Sequence, residues 1–318
     1  MGLVDQAGAD SDAGKLSAEY LIENYKTLFP PFLSDGLPSA DTVYGYSKDI
    51  DQYLAWCKEN NISVVSADRR NLISYRKFLM DKNLKSTTIN HKLVAIREFY
   101  SYLIEYHVLV YNPVAKVRAH QKGDSEDITF KFFDKEELKR ILESTESDDI
   151  VSLRNRAMIM LMGLEGLRVV EIHRLNAQDI NFVRREVLIH GKGHNDKIII
   201  RKDTAEALKD YMEQRYVSVT ETPVPVFTAL SNRWKGKRIS RNGIRKCINK
   251  VFCDVGLYTK GHSCHTLRHT VGTLVCAATK DLNYVKKTLR HKSLEMASHY
   301  SHILKDRESG LSDIISLE

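Results

Sequence analysis

Residues 265–270 read His265-Thr266-Leu267-Arg268-His269-Thr270, and residues 289–302 read Leu289-Arg290-His291-Lys292-Ser293-Leu294-Glu295-Met296-Ala297-Ser298-His299-Tyr300-Ser301-His302. His291 stands 23 residues beyond Arg268, and Tyr300 nine beyond His291. Far upstream lies Gly166-Leu167-Arg168-Val169-Val170-Glu171-Ile172, and between the two comes Gly191-Lys192-Gly193. Each piece alone is ordinary. The chain has 15 tyrosines, most of which must pack in cores. A histidine within a helix is usually half-buried and hydrogen-bonded. The Gly-Lys-Gly run is a turn and no P-loop, because the spacing is wrong and no Ser or Thr follows the lysine. What decides the reading is the set in order: an arginine box, a lysine turn, a second arginine flanked by histidines, and a histidine followed by a tyrosine.

Around these boxes the pattern is mainly helical. Apolar residues at Val43, Tyr46, Ile50, Tyr53, Leu54 and Cys57 form a stripe with steps of three and four. A second helix is expected over Ala67–Asp81 after an N-cap at Ser66, and a third over Thr87–Tyr106 with Ile89, Leu93, Ile96, Tyr100 and Leu103 on one face. An earlier helix over Leu16–Leu28 should end before Pro30-Pro31. These make a small bundle over residues 16–118, preceded by a disordered tail, 1–15. The polar stretch 119–129 reads as a linker, and a second domain covers 130–318. That domain opens on a capping box, Asp134 with Glu137, stapled by Phe133 and Leu138. An apolar helix over Asn155–Leu164 is broken by Gly166, and another runs from Arg168 to Leu175. Short β runs at Val187–Ile189 and Ile198–Ile200 flank the Lys192 turn as a hairpin. Asp203 and Glu206 cap a further helix, and the chain is again helical from Ser240. The expected fold class is mainly α with a small β-sheet.

The formal net charge of +7 suits a polyanionic partner. Within 231–250 stand Arg233, Lys235, Lys237, Arg238, Arg241, Arg245, Lys246 and Lys250 with no Asp or Glu, a cluster that repels itself unless an anion neutralises it. Lys85, Thr87, Asn90, Lys92 and Arg97 share the polar side of the third helix; these types contact phosphates and base edges, and equally make a wetted surface. The five cysteines form no CxxC pair and read as small buried thiols of a reducing cytoplasm, with neither zinc nor disulfides indicated. The N-terminus has no signal-peptide pattern, and no apolar run approaches a membrane span.

The order and spacing of the boxes resemble the tyrosine recombinase/integrase family, which includes Xer-type recombinases and phage integrases. GLRVVEI is similar to its first arginine box, GKG to its lysine loop, HTLRH to its His-x-x-Arg box and LRHKSLEMASHYSH to its His-then-Tyr box; Asp179 also fits. One position departs: Arg290 stands where the family usually has glycine, and could alter the local helix and add a phosphate contact. The resemblance implies a SAM-like core-binding bundle and an α+β catalytic domain forming a C-shaped clamp on double-stranded DNA with a specific core site. It implies a homotetramer on DNA, from a chain that can be monomeric in solution, docked through a C-terminal helix, here 309–317. It also implies strand cleavage and rejoining through a 3′-phosphotyrosyl intermediate and a Holliday junction, for integration, excision or resolution, with no cofactor, metal or ATP.

The same resemblance assigns roles. Tyr300 is the nucleophile, Arg168 and Arg268 clamp the non-bridging oxygens, and Lys192 is the acid for the 5′-oxygen. His265 is the base or a phosphate ligand, and His291 donates to the phosphate. Glu171 braces the arginine box, while His269 and His302 are read as packing or surface residues; His194 and Lys197 compete with Lys192. DNA contacts are expected from Lys85, Thr87, Asn90, Lys92, Arg97, Arg238, Arg241 and Arg245. Three readings compete: a type IB topoisomerase-like nicking-closing enzyme, a catalytically silent DNA-binding protein on the same scaffold, and a generic basic helical DNA-binder.

Overall fold

The computed structural model describes residues 16–33, 38–119, 131–191, 195–215, 223–231 and 233–301. The chain divides into two compact units, Met1–Asp124 and Ser125–Glu318.

The first unit contains α1 (Ala18–Glu23), α2 (Tyr25–Phe32), α3 (Ala40–Glu59), α4 (Arg69–Asp81) and α5 (Ser86–Glu105). Its core is aromatic: Tyr25, Phe29, Phe99 and Tyr102 meet edge-on, and the buried hydroxyls of Tyr53 and Tyr100 share a 2.7 Å hydrogen bond. Two expectations are corrected. Pro30 and Pro31 lie inside α2, because Phe29, fully buried against Phe99 and Tyr102, holds that last turn in place. The N-cap of α4 is Asp68, reciprocally bonded with Asn71 at 3.0 and 2.9 Å, so a carboxylate with a partner three residues on prevails over Ser66.

The second unit is built around α7 (Ile150–Gly163), whose residues from Ala157 to Met162 are all buried. A helix apolar on every side belongs at the centre of a domain. Packed on it are α6 (Lys135–Glu143), α9 (Lys202–Gln214), α10 (Arg241–Asp254) and α11 (Cys264–Thr279). The Asp134–Glu137 capping box is formed at 2.8 and 2.9 Å, and Phe133 and Leu138 are buried. Three antiparallel strands, β1 (Ile180–Asn181), β2 (Glu186–His190) and β3 (Asn195–Ile199), lie in that order, with His190 opposite Asn195 at the hairpin end. Asp203 sits in the first turn of α9 rather than at its cap, bonding the Arg201 guanidinium at 2.7 Å. All five cysteines are free; Cys253 is exposed and Cys247 half-buried, where burial was expected. Three short helices complete the site region: α8 (Val169–Arg174), α12 (Leu282–Leu289) and α13 (Glu295–Ser298). Among the described residues, no helix is long and apolar enough to cross a membrane.

Candidate active site

The sharp turn before α8 depends on Gly166, whose φ of +69° lies in the left-handed region and whose missing Cβ leaves room for Leu289. Arg168 follows as the N-cap residue of α8, a third of its side chain exposed. Its guanidinium donates to Glu171 Oε1 at 2.8 Å, and its backbone N–H to Glu171 Oε2 at 2.8 Å. Glu171 thus braces the box as expected from the sequence. Burial acts to raise its pKa, but Arg290, the Arg168 amide and the Arg168 guanidinium outweigh it and hold the carboxylate below its ordinary value.

Arg268 is buried in α11, and its guanidinium donates to the main-chain oxygens of Gly166 and Leu289. Burial and then Arg168 push its pKa down, but a guanidinium stays charged at any ordinary pH. Two donors are used, leaving others of its five N–H groups for a ligand. His265, in the first turn of α11, is exposed; its backbone N–H donates to the N-cap Ser263 hydroxyl at 3.2 Å, which leaves the imidazole out of the cap. Partial desolvation by the neighbouring chain and then Arg268, Arg168 and Arg245 lower its pKa.

Helix α12 ends in paired bonds from Arg290 N–H to Lys287 O (3.2 Å) and from His291 N–H to Lys286 O (3.0 Å). That closure needs a left-handed residue, usually glycine, and Arg290 adopts it at φ 52°. The side chain does not stand free for a phosphate, as the sequence suggested it could; its guanidinium is withdrawn onto Glu171 Oε2 at 2.8 Å. His291 is thereby aimed at Tyr300, their rings 6.2 Å apart and 20° from parallel. Burial, then Arg268 and Arg168, depress His291 to about 4, so it is neutral near pH 7.

Tyr300 is 2% exposed. Its ring lies directly on Gly272 of α11, where a Cβ would fall 2.5 Å from the ring atoms Cε1 and Cζ. Its hydroxyl is 2.9 Å from Nδ1 of His269. Burial pushes the phenol up to about 12, against the pull of Arg268 and then Arg168. The sequence reading gave His269 to packing; the structure places it on the Tyr300 hydroxyl.

Lys192 and His194 lie outside the described residues, as do His302 and the segment 309–317. The root of the Lys192 loop is described: Arg174 donates to Gly191 O at 3.1 Å, and His190 pairs with Asp179 at 2.8 Å. Lys197 is drawn to Glu186 at 3.7 Å. Among the described residues no group of three or more His, Cys, Asp or Glu side chains could hold a metal ion.

The chain as a whole matches the models of a known family. A family model described as "Phage integrase family" covers residues 131–307, and one described as "Phage integrase, N-terminal SAM-like domain" covers 32–107. The chain belongs to the phage integrase family. This tyrosine recombinase is 28% identical over 269 residues to "Tyrosine recombinase XerC" of Staphylococcus saprophyticus, covering 85% of this chain and 88% of that one. Its fold is similar to XerH site-specific recombinase bound to palindromic difH substrate in a post-cleavage complex, with TM-score 0.71, 21% identity, and 86% and 79% of the two chains covered. It is also similar to a lambda integrase tetramer bound to a Holliday junction, with TM-score 0.64, 16% identity, and 91% and 78% covered. The family membership and the relatives identify the protein as a site-specific recombinase.

The recombinase's expected DNA contacts divide by what the side chains already hold. Lys85 and Thr87 are exposed at the start of α5, and Arg245 is exposed on α10, bonding Asn242 at 2.8 Å. Arg241, half-buried, opens α10. The others do internal work that the sequence reading missed. Lys92 Nζ pairs with Asp49 at 2.6 Å and Gln52 at 2.8 Å. Asn90 accepts the Ala119 N–H at 2.8 Å, and Arg97 donates to Val117 O at 3.2 Å. Arg238 donates to His173 O and Leu175 O at 2.8 and 3.2 Å and to Asn176 at 2.6 Å, pinning the end of α8.

Proposed function

We propose that this recombinase cleaves and rejoins double-stranded DNA through Tyr300. The carrying observation is the convergence of three sequence-distant segments: Arg268 bonds the Gly166 turn and the end of α12, and Tyr300 packs against the same helix. In this reading the scissile phosphate sits on Arg168 and Arg268, whose planar forks match its non-bridging oxygens. These supply fixed positive charge where negative charge develops. His265 and His291 donate hydrogen bonds to the same phosphate, and Lys192 protonates the departing 5′-oxygen. The Tyr300 oxygen bonds to phosphorus, leaving a 3′-phosphotyrosyl link and a free 5′-hydroxyl. The link conserves the bond energy, so rejoining needs no nucleotide.

Residues 16–118 act as the core-binding domain and 130–318 as the catalytic domain, working as a homotetramer on a specific core site in the cytoplasm. The lambda integrase tetramer on a Holliday junction supports that assembly by likeness of fold. The relatives are recombinases, which favours strand exchange over topoisomerase-like relaxation.

Covalent capture tests this. The wild type and Tyr300→Phe are expressed in bacteria and denatured, the protein-linked DNA ends are sequenced and the modified peptide is mapped. DNA on the Tyr300 peptide at one recurrent sequence, absent from the variant, is the expected result. An adduct on another residue overturns the assignment, and scattered ends point to the topoisomerase-like reading.

A further inference from the structure

Three residues of the site region make a slot for one ring. Gly272 is its floor, since no other residue lets the Tyr300 ring lie on α11. The His291 ring is a wall, 6.2 Å away and 20° from parallel. His269, three residues before Gly272 and so on the same helix face, closes the polar end with Nδ1 at 2.9 Å from the hydroxyl. His265 was the histidine expected to serve the phenol; its ring centre is 6.3 Å from that of His269, and it is His269 that stands at the Tyr300 hydroxyl.

We infer that His269 is the catalytic base for Tyr300, accepting the phenolic proton at Nδ1 as the tyrosine oxygen attacks phosphorus. The inference rests on Tyr300 being the nucleophile. The Tyr300 oxygen–phosphorus bond forms, the bond to the 5′-oxygen breaks, the phenolic proton passes to His269, and Lys192 gives a proton to the 5′-oxygen. On rejoining, the 5′-hydroxyl returns its proton to Lys192 and His269 returns its own to the departing tyrosine. For this, Nδ1 must be unprotonated at the start. The groups facing the imidazole are His265 and Arg268 on α11, His291 after α12 and Tyr300 after α13. Burial, then His265 and Arg268, hold His269 at about 4, so it is a neutral acceptor near pH 7. A histidine on the tyrosine also gives the phenol a proton acceptor where burial disfavours a free phenolate.

The experiment measures single-turnover adduct formation by full-length protein on a duplex carrying the sequence captured at Tyr300. Wild type, His269→Gln, His265→Gln and Tyr300→Phe are compared. Glutamine can still accept a hydrogen bond from the phenol, but cannot carry its proton away. Expected is a loss of about a hundredfold for His269→Gln with DNA affinity and melting temperature unchanged. The deficit narrows from about pH 7 to about pH 10, as hydroxide takes over the proton. A His269→Gln rate within about twofold of wild type would reduce the histidine to positioning and overturn the inference, as would a deficit constant with pH. The Tyr300 reading fails separately, by wild type giving no Tyr300 adduct or Tyr300→Phe giving one.

Discussion

Arg290 and Glu171 form an ion pair of 2.8 Å in which the two side chains are only 9% and 3% exposed. The same carboxylate holds the Arg168 guanidinium and amide, so a residue after α12 helps set the first arginine box. Arg290 therefore carries two opposed terms. Its left-handed backbone costs about 1–2 kcal/mol relative to glycine, whereas removing one partner of a buried pair costs about 3–5 kcal/mol.

The pair is expected to win. Arg290→Gly should lower stability by about 1–4 kcal/mol despite relieving the backbone. Urea denaturation of Arg290→Gly, Glu171→Gln and the double variant checks this. The double variant should lose less than the sum of the singles, and strict additivity would mean the two residues are not coupled.

Acid should weaken the second unit in two stages. His269 and His291 have folded pKa values of about 4, below the ordinary 6.5, so the unfolded chain binds protons first. Their contribution is complete above about 6.5 and declines as pH falls toward about 4. Glu171, also depressed, contributes above its unfolded value and is lost at lower pH still. Urea midpoints measured across this range should fall on acidification, less steeply for His269→Gln. A flat profile would mean the histidines are not held neutral.

Gly272→Ala puts a methyl carbon where the Tyr300 ring lies, 2.5 Å from Cε1 and Cζ. Overpacking of this kind costs about 1–3 kcal/mol. The ring should be expelled, making Tyr300 reactive to tetranitromethane while adduct formation falls. Peptide mapping after nitration reads the first effect; a Tyr300 still protected would show that α11 yields instead.

In the first unit, Lys92→Ala leaves Asp49 without its 2.6 Å partner and should destabilise by about 1–3 kcal/mol. Lys85→Ala, at an exposed position, should leave stability unchanged and flatten the salt dependence of DNA binding by about one phosphate contact. Chemical denaturation and binding at several salt concentrations separate the two, and a salt slope unaltered by Lys85→Ala would remove it from the DNA surface.

The boxes were legible because each is a short contiguous signal with its chemistry inside it. The capping box at Asp134 and the helical stripe of α3 were legible for the same reason. Residues whose meaning depends on a distant partner were not. His269 looks the same in the sequence whether it meets a core or a tyrosine 31 residues away. Lys92 sits on the polar side of α5 by periodicity, but Asp49 and Gln52 face it from α3; their spacing, one turn apart, was the available signal. β1 is two residues long and exists through its pairing with β2, which no local pattern could announce. The left-handed Arg290 could not be foreseen from propensity, since arginine there is sustained by Glu171.

Arg268 joins main-chain oxygens 102 residues before it and 21 after it. Contacts of such separation form late, once the intervening chain has folded. A ribosome releases this chain from its N-terminus, so the first arginine box emerges long before the segments that complete its surroundings. The growing polypeptide holds no partial cutting centre. The capacity to recombine DNA arrives only when nearly the whole second unit has been made.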